Sequence, residues 1–468
     1  MIKVHNDLTQ KKEEFVSLEE NKVKMYVCGP TVYDYFHIGN ARAFTMFDII
    51  RRYLEYRGYE VTYVQNFTDI DDKMINRAKE LGISVKELAE KYIEEYFNDA
   101  DSLGINRADY HPKATEHIKG IIDIVKRLEE KEYAYEIDGD VYFDAGKFDE
   151  YGKLSQQDLE ELESGSRVEV NEQKKSPIDF VLWKKQKPGE PSWDSPWGKG
   201  RPGWHIECSA MASEYLGETI DIHAGGTDLV FPHHENEIAQ SEAAFGKPFA
   251  KYWLHNGYLN IDGEKMSKSL GNFFTVRDIR EKVDPEVIRF FLMSAQYRNP
   301  LNFSEEQLQS AENALDRLYS AVDNLKHARN QAGENETEKD EEVLEKIDQH
   351  RNEFIKAMDD DFNTADATSV MFVFARDMNT YLKEGLSLTV IDKSLDLMME
   401  WGKVLGLLYK AKDEKKIDQE IETMIKEREE ARTRKDWAKA DDIRDQLKDR
   451  GIVIEDTPGG TRIVTRNK

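Results

Sequence analysis

The sequence has 468 residues, enough for about three domains with a large buried core. Hydrophobic residues make up 39% and charged residues 34%, and 66 Lys+Arg against 92 Asp+Glu give a net charge of −26, so any hold on nucleic acid must come from a local basic patch and not from bulk charge. No apolar run approaches the ~18 residues of a membrane span, Met1 to Asp7 lack the apolar core of a secretory signal, and Cys28 and Cys208 alone make no disulfide framework, so a cytoplasmic globular protein is expected.

Val23, Met25 and Val27 alternate as in a strand that ends in the turn Cys28-Gly29-Pro30. Ala43, Phe47, Ile50 and Leu54 then recur at helical spacing, with Gly58 where a C-terminal cap belongs, and Val61, Tyr63 and Val64 give a second strand. Strand, helix and strand with a glycine-bearing loop form a βαβ unit of a parallel sheet, whose ligands bind at the carboxyl ends of the strands, here Cys28 to Asn40. Residues 115 to 195 break the pattern with a helix, short strand-like pieces such as Gly139–Phe143 and a polar run near Glu161 to Lys175, and read as an insertion. The α/β pattern resumes from Trp204 to Asn260, with a strand at Thr219–His223 and a helix after Pro232. Helices follow, one carrying Leu315, Leu318, Val322 and Leu325 on a single face, then a polar connection over Asn330 to Glu342 and further helix from Asp361 to Leu408. A last unit from about Ile417 has helices to Arg450 and short strands at Ile452–Ile454 and Arg462–Val464.

Three groups of residues carry chemistry. His37-Ile38-Gly39-Asn40 falls at a helix start, where unpaired amides and the positive dipole end suit phosphate, although the tetrapeptide alone is a common chance match. Lys265-Met266-Ser267-Lys268-Ser269, between Gly263 and Gly271, sets two cations and two hydroxyls on one loop, which suits a transferring phosphate and equally a solvated basic turn. His233 and Glu237, four apart after Pro232, share one helix face, while Cys28 and Cys208 are soft donors expected on separate strand ends. The set Cys–Cys–His–Glu suits zinc, yet the long separation of the cysteines leaves buried free thiols and a structural histidine open. His234 is expected to point elsewhere on the helix and is left out of the ligand set.

Taken together and in this order, the first two motifs resemble the HIGH and KMSKS elements of class I aminoacyl-tRNA synthetases. The runs Met25-Tyr26-Val27-Cys28-Gly29-Pro30-Thr31-Val32-Tyr33, Asn66-Phe67-Thr68-Asp69-Ile70-Asp71-Asp72-Lys73, Gly203-Trp204-His205-Ile206-Glu207-Cys208-Ser209 and His223-Ala224-Gly225-Gly226-Thr227-Asp228 narrow the likeness to the cysteine-specific branch, essentially over residues 1 to 468. The resemblance implies an α/β Rossmann-type parallel-sheet catalytic domain over 1–114 and 196–300, a connective insertion over 115–195, an α-helical bundle that binds tRNA over 301–412, and a small C-terminal α+β anticodon-recognition unit over 413–468. It implies activation of L-cysteine with ATP and Mg²⁺, transfer to the terminal adenosine of tRNA(Cys), and a monomer. Positions matching its zinc ligands are Cys28, Cys208, His233 and Glu237; Gly29, Thr68 and Trp204 match its cysteine pocket, with Trp204 also readable as a core aromatic. His37, Gly39, Asn40, Gly225, Asp228 and Lys268 match its ATP site, and His37, Asn40, Lys265 and Lys268 its catalytic groups. One departure is Asn40, which stands where the family has the second histidine of HIGH; asparagine can donate a hydrogen bond but cannot become cationic.

Zinc answers a selection problem, because shape alone separates similar side chains by only ~10–200-fold, whereas a thiolate differs from a hydroxyl in softness and acidity. An editing domain is then unnecessary, and the insertion over 115–195 is short for one. From Ala431 to Lys468 ten Lys or Arg face seven Asp or Glu, a local reversal of the acidic total. Within it Arg432, Trp437 and Asp441 match anticodon-reading positions, a chemistry of stacking plus base-edge contacts, with Trp437 also readable as the core of its unit. Two rivals are a cysteine ligase acting on an amino sugar, against which residues 417 to 468 argue, and a non-catalytic RNA-binding paralogue, against which the intact His37, Lys268 and zinc positions argue.

Overall fold

The computed structural model describes residues 1–157, 174–261, 263–265, 274–335, 338–412, 419–450, 452–457 and 460–465. They divide into two units, Met1–Ala311 with Lys356–Ala367, and Glu312–Ile355 with Thr368–Lys468. In chain order the elements are β1 (Lys3–Asn6), β2 (Lys11–Glu14), β3 (Lys22–Val27), α1 (Ile38–Tyr56), β4 (Glu60–Gln65), α2 (Asp72–Leu81), α3 (Val85–Ser102), α4 (Ile118–Glu130), β5 (Ala134–Ile137), β6 (Asp140–Phe143), β7 (Phe180–Lys185) and β8 (Gly200–Pro202). There follow α5 (Trp204–Leu216), β9 (Ile220–Gly226), α6 (Glu235–Phe245), β10 (Ala250–Asn256), β11 (Leu259–Ile261), β12 (Glu264–Lys265), α7 (Val276–Arg280), α8 (Pro285–Leu292) and β13 (Leu301–Phe303). The helices α9 (Glu305–Arg329), α10 (Asp340–Asp359), α11 (Thr364–Tyr381), α12 (Leu388–Leu405), α13 (Gln419–Thr433) and α14 (Trp437–Asp449) precede a closing hairpin, β14 (Ile452–Thr457) and β15 (Gly460–Thr465).

The expected β3–α1–β4 unit forms one half of a parallel sheet ordered β10-β9-β3-β4. Val23, Met25 and Val27 of β3 are buried, and α1 buries Phe44, Phe47, Ile50 and Leu54. At the end of α1 the Arg57 N–H donates to the Tyr53 carbonyl and Gly58 takes a φ of +90°, the left-handed geometry that favours glycine there. The chain leaves β3 toward β4 on one side, while β9 pairs on the other, so the strand order reverses between β3 and β9. That switch point opens a crevice at the strands' carboxyl ends. Within the stretch expected as an insertion, α4 and strands β5, β6 and β7 pack around Val141, Phe143, Leu182 and Trp183, and the antiparallel sheet β5-β6-β7-β8 takes its last strand from Gly200–Pro202, past the expected boundary at 195.

In the second unit Leu315, Leu318, Val322 and Leu325 are buried, as their spacing predicts. Trp401 stacks on Phe354 and meets Phe374 edge-on. The terminal segment has its own small core of Ile443, Leu447 and Ile454, against which Met424 and Ile425 pack. No helix among the described residues is long and apolar enough to cross a membrane.

Candidate active site and metal centre

Four side chains converge in the crevice. Cys28 follows the last residue of β3, Cys208 lies in the second turn of α5, and His233 and Glu237 straddle the junction between a wide helical turn, Val230–His234, and α6. Cys208 is therefore on a helix, not on a strand end as the sequence suggested: after Gly203 the chain enters α5 directly. Sγ of Cys28 lies 3.9 Å from Sγ of Cys208 and 3.6 Å from Glu237 Oε1; Cys208 Sγ lies 3.6 Å from His233 Nε2, and His233 Nε2 lies 2.9 Å from Glu237 Oε1. The four donor atoms all fall within 4.8 Å of one another, and every residue is buried.

These distances test the fit of a metal. Zinc bonds of about 2.3 Å to sulfur and about 2.0 Å to nitrogen or oxygen give tetrahedron edges of roughly 3.8 Å between sulfurs and 3.5 Å from sulfur to the lighter donors. The three measured edges that include sulfur match. The His233–Glu237 edge is shorter, as a direct hydrogen bond is. Burial pulls the His233 ring down, but the neighbouring Glu237 carboxylate and Cys208 outweigh it and raise the imidazole to about 10. Burial likewise pushes Glu237 up, and His223 and His233 overcome it, holding the carboxyl at about 2. The hydrogen bond from Cys28 lowers Cys208, while burial drives Cys28 up. Two sulfurs, a ring nitrogen and a carboxylate oxygen gathered this closely suit a soft-to-borderline divalent cation.

Around the tetrad stands a second ring of imidazoles that the sequence reading did not assign. His205 Nδ1 is 2.9 Å from His233 Nδ1, His223 Nε2 is 2.8 Å from Glu237 Oε2, and His234 Nε2 is 3.3 Å from Cys28 Sγ. Each would orient one ligand from behind. His234 thus lies against the site, contrary to the expectation that it points away: the crevice is walled by β3 as well as by α5, so the residue next to His233 meets Cys28. It continues to His255 at 2.8 Å and from there to Asp7 at 2.7 Å. Gly225 leaves the space for this ring, since a Cβ there would come within 2.9 Å of His234 Cε1. His223, His234, Cys28 and Glu237 form a second grouping of possible donors that shares two members with the first. The only sequence signal for His205 and His223 was their presence in the runs Gly203–Ser209 and His223–Asp228, and for His234 its place beside His233.

Trp204 opens α5, is 39% exposed, and stacks on His233 with ring centroids 4.1 Å apart, so it belongs to the rim of the site and not to the core. Thr68 is buried and its hydroxyl donates to Glu207 Oε2 at 3.1 Å. Gly29 is pressed against β4's end: its N–H donates to Asn66 Oδ1 at 2.9 Å, and a Cβ would lie 1.7 Å from the Asn66 carbonyl oxygen. Gly29→Ala must push the backbone apart, and we expect a loss of about 2 kcal/mol in chemical unfolding; a variant as stable as the parent would contradict this packing.

His37 caps α1. The Asn40 N–H donates to His37 Nδ1 at 3.2 Å, which places the proton of the neutral ring on Nε2, while Gly39 and Asn40 sit in the first turn. The chain around Phe274 and Val276 passes beside it, with the Ile38 N–H donating to Phe274 O at 3.1 Å and the Val276 N–H to Phe36 O at 3.2 Å. Lys265 ends β12, paired with Asn260; Lys268 lies outside the described residues. Gly225 is the penultimate residue of β9, and Asp228 stands exposed on the turn Thr227–Leu229 that follows.

In the second unit, Trp437 opens α14, 57% exposed, with the Arg432 guanidinium 6.0 Å from its ring centroid. Its exposure separates it from the small core formed by Ile443, Leu447 and Ile454. Asp441, one turn further along α14, pairs with Arg444 at 3.1 Å.

Comparisons with known proteins bear on the chain as a whole. A family profile described as tRNA synthetases class I (C) catalytic domain matches residues 14–313, a DALR domain profile matches 353–409, and a cysteinyl-tRNA ligase anticodon binding domain profile matches 414–463. The chain is 60% identical over 462 residues to a cysteine–tRNA ligase of Clostridioides difficile (strain 630), covering 98% of this chain and 99% of that one. It is 59% identical over 462 residues to that of Anoxybacillus flavithermus (strain DSM 21510 / WK1), covering 98% and 99%. Among solved structures, Mycobacterium tuberculosis methionyl-tRNA synthetase in complex with methionyl-adenylate superposes with a TM-score of 0.60 at 15% identity, covering 82% of this chain and 89% of that one, a likeness of fold.

Proposed function

Since the chain belongs to the cysteine–tRNA ligase family of class I aminoacyl-tRNA synthetases, we propose that its crevice selects cysteine through a zinc ion held by Cys28, Cys208, His233 and Glu237, and that His37, Asn40 and the Lys265–Lys268 pair handle ATP. The enzyme forms cysteinyl-tRNA from L-cysteine, ATP and tRNA(Cys). The observation that carries the residue-level reading is the closed, buried Cys–Cys–His–Glu tetrad at the switch point of the parallel sheet. Zinc bound there would take the substrate's thiolate and not a serine hydroxyl, the preference of a soft-to-borderline ion.

The chain's own groups do the rest by position and charge. Trp204 stacks over His233 and shelters the tetrad; Thr68 and Gly29 bound the pocket from the β4 and β3 ends. The cysteine carboxylate attacks the α-phosphate of magnesium-bound ATP, and pyrophosphate leaves. His37 offers its Nε2–H at the N-terminal end of α1, where the helix amides favour phosphate. Lys265 and Lys268 stabilise the charge that gathers on the departing phosphates. Asp228, on the turn after Gly225-Gly226, is suited to accept from the ribose hydroxyls. A 2′-hydroxyl of the terminal adenosine then attacks the mixed anhydride and releases AMP; neither step needs a protein nucleophile. A cytoplasmic location, where tRNA is charged, fits this work.

Arg432, Trp437 and Asp441 are the groups proposed to read the anticodon, Trp437 by stacking on an unpaired base. We expect Trp437→Ala to lower kcat/KM for tRNA in aminoacylation by about 10–100-fold while ATP–pyrophosphate exchange with cysteine is unchanged. Aminoacylation at the parent rate would remove Trp437 from recognition.

A further inference from the structure

The helix that brings Cys208 to the tetrad brings a second acid with it. Trp204, Glu207 and Cys208 are spaced i, i+3 and i+4 along α5 and so share one face. Glu207 is wholly buried, yet the groups around it are two carboxylates, Asp69 and Asp71, the Cys208 thiol and the Thr68 hydroxyl. Its Oε2 accepts from Thr68 Oγ1 at 3.1 Å, and its Oε1 has no hydrogen-bond partner among the described residues. A buried carboxyl oxygen with no hydrogen-bond partner costs free energy until a donor or a cation comes to the group. Thr68 is itself buried, and its backbone is fixed, with its N–H donating to Pro30 O and its carbonyl accepting from the Val32 N–H, both at 3.2 Å. Because the Thr68 hydroxyl spends its proton on Glu207, its lone pairs remain for a donor on the pocket side. An amino acid whose sulfur is held at the tetrad carries such a donor: its α-ammonium group.

We propose that Glu207 is the counter-charge for the substrate's α-ammonium, acting through the Thr68 hydroxyl, which accepts from the ammonium and donates to Glu207. This rests on the reading of the crevice as the cysteine pocket. Glu207 is a positioning residue, since Thr68 and not Glu207 touches the substrate. The chain of hydrogen bonds makes the pocket select a free amino group as well as a thiol.

The test compares cysteine with 3-mercaptopropionate, which keeps the thiol and carboxylate and lacks the amine. Calorimetric titration is done on the zinc-replete full chain without ATP. The parent should bind cysteine about 10–100-fold more tightly than 3-mercaptopropionate, the worth of one charge-assisted hydrogen bond. Glu207→Gln, nearly isosteric, should weaken cysteine by most of that factor and leave 3-mercaptopropionate unchanged, and Thr68→Val should do the same. Glu207→Asp should recover part of the preference. Equal weakening of both ligands would assign Glu207 a merely structural role, and an undiminished preference in both variants would exclude it from ammonium recognition; either overturns the proposal. If removal of zinc leaves the parent's affinity for both thiols intact, the pocket reading itself fails, an outcome distinct from either of these.

Discussion

Cys208→Ala is expected to take bound zinc from about one equivalent per chain to none and to lower cysteine-dependent ATP–pyrophosphate exchange by about 10³-fold or more. The tetrad is closed, so removing one sulfur leaves three donors, with Cys28 facing an empty corner 3.9 Å away. The substitution is small, and Cys208 is one member of a large buried cluster that keeps Met211, Ala212, Ile220 and Phe249. The fold should therefore survive, and metal content by elemental analysis reads the effect without relying on activity. The outer histidines give a graded control. His205→Ala removes only the group behind His233 and should weaken zinc binding by about 10–100-fold. A Cys208→Ala protein that retains one zinc and full exchange would dissolve the proposed centre.

The second large effect is expected at His37. His37→Ala should lower the rate of pyrophosphate exchange by about 10²–10³-fold with little change in the KM for cysteine, because the group acts on the phosphates and not on the thiol. The same change removes the cap of α1, worth about 1 kcal/mol of stability, so the two roles must be separated. His37→Asn does so. Asparagine is a good helix cap and should restore the thermal midpoint, yet it lacks the ring nitrogen that reaches outward, and exchange should stay low. If His37→Asn recovers both stability and rate, capping alone explains the residue and the proposed phosphate contact is wrong.

Much of the catalytic frame was legible because its signals are local. Alternation in Val23–Val27, helical spacing from Ala43 to Leu54 and the glycine at 58 dictate β3, α1 and the turn to β4 through backbone geometry alone. His233 and Glu237 were likewise within reach, since a spacing of four on a helix implies contact, and they meet at 2.9 Å. What escaped is long-range. Nothing local to Cys208 says that its helix will lie against the end of β3, or that His205, His223 and His234 will each back one ligand; those contacts exist only once the sheet order β10-β9-β3-β4 is set. Polar strands were also hard to see. Lys11–Glu14 pairs with Lys3–Asn6 although it reads Lys-Lys-Glu-Glu, because an exposed hairpin strand needs no apolar face. Trp437 shows the converse: an aromatic at the start of a helix reads as core or as ligand platform, and its exposure of 57% takes it out of the core.

The central claim, selection of cysteine by a metal in the Cys28–Cys208–His233–Glu237 tetrad, is tested most directly by pyrophosphate exchange with cysteine and with serine on zinc-replete, chelator-stripped and zinc-restored enzyme. The account predicts exchange with cysteine only, its loss as the zinc is removed, and its return when zinc is restored. Undiminished cysteine exchange in protein shown to be free of zinc would contradict it.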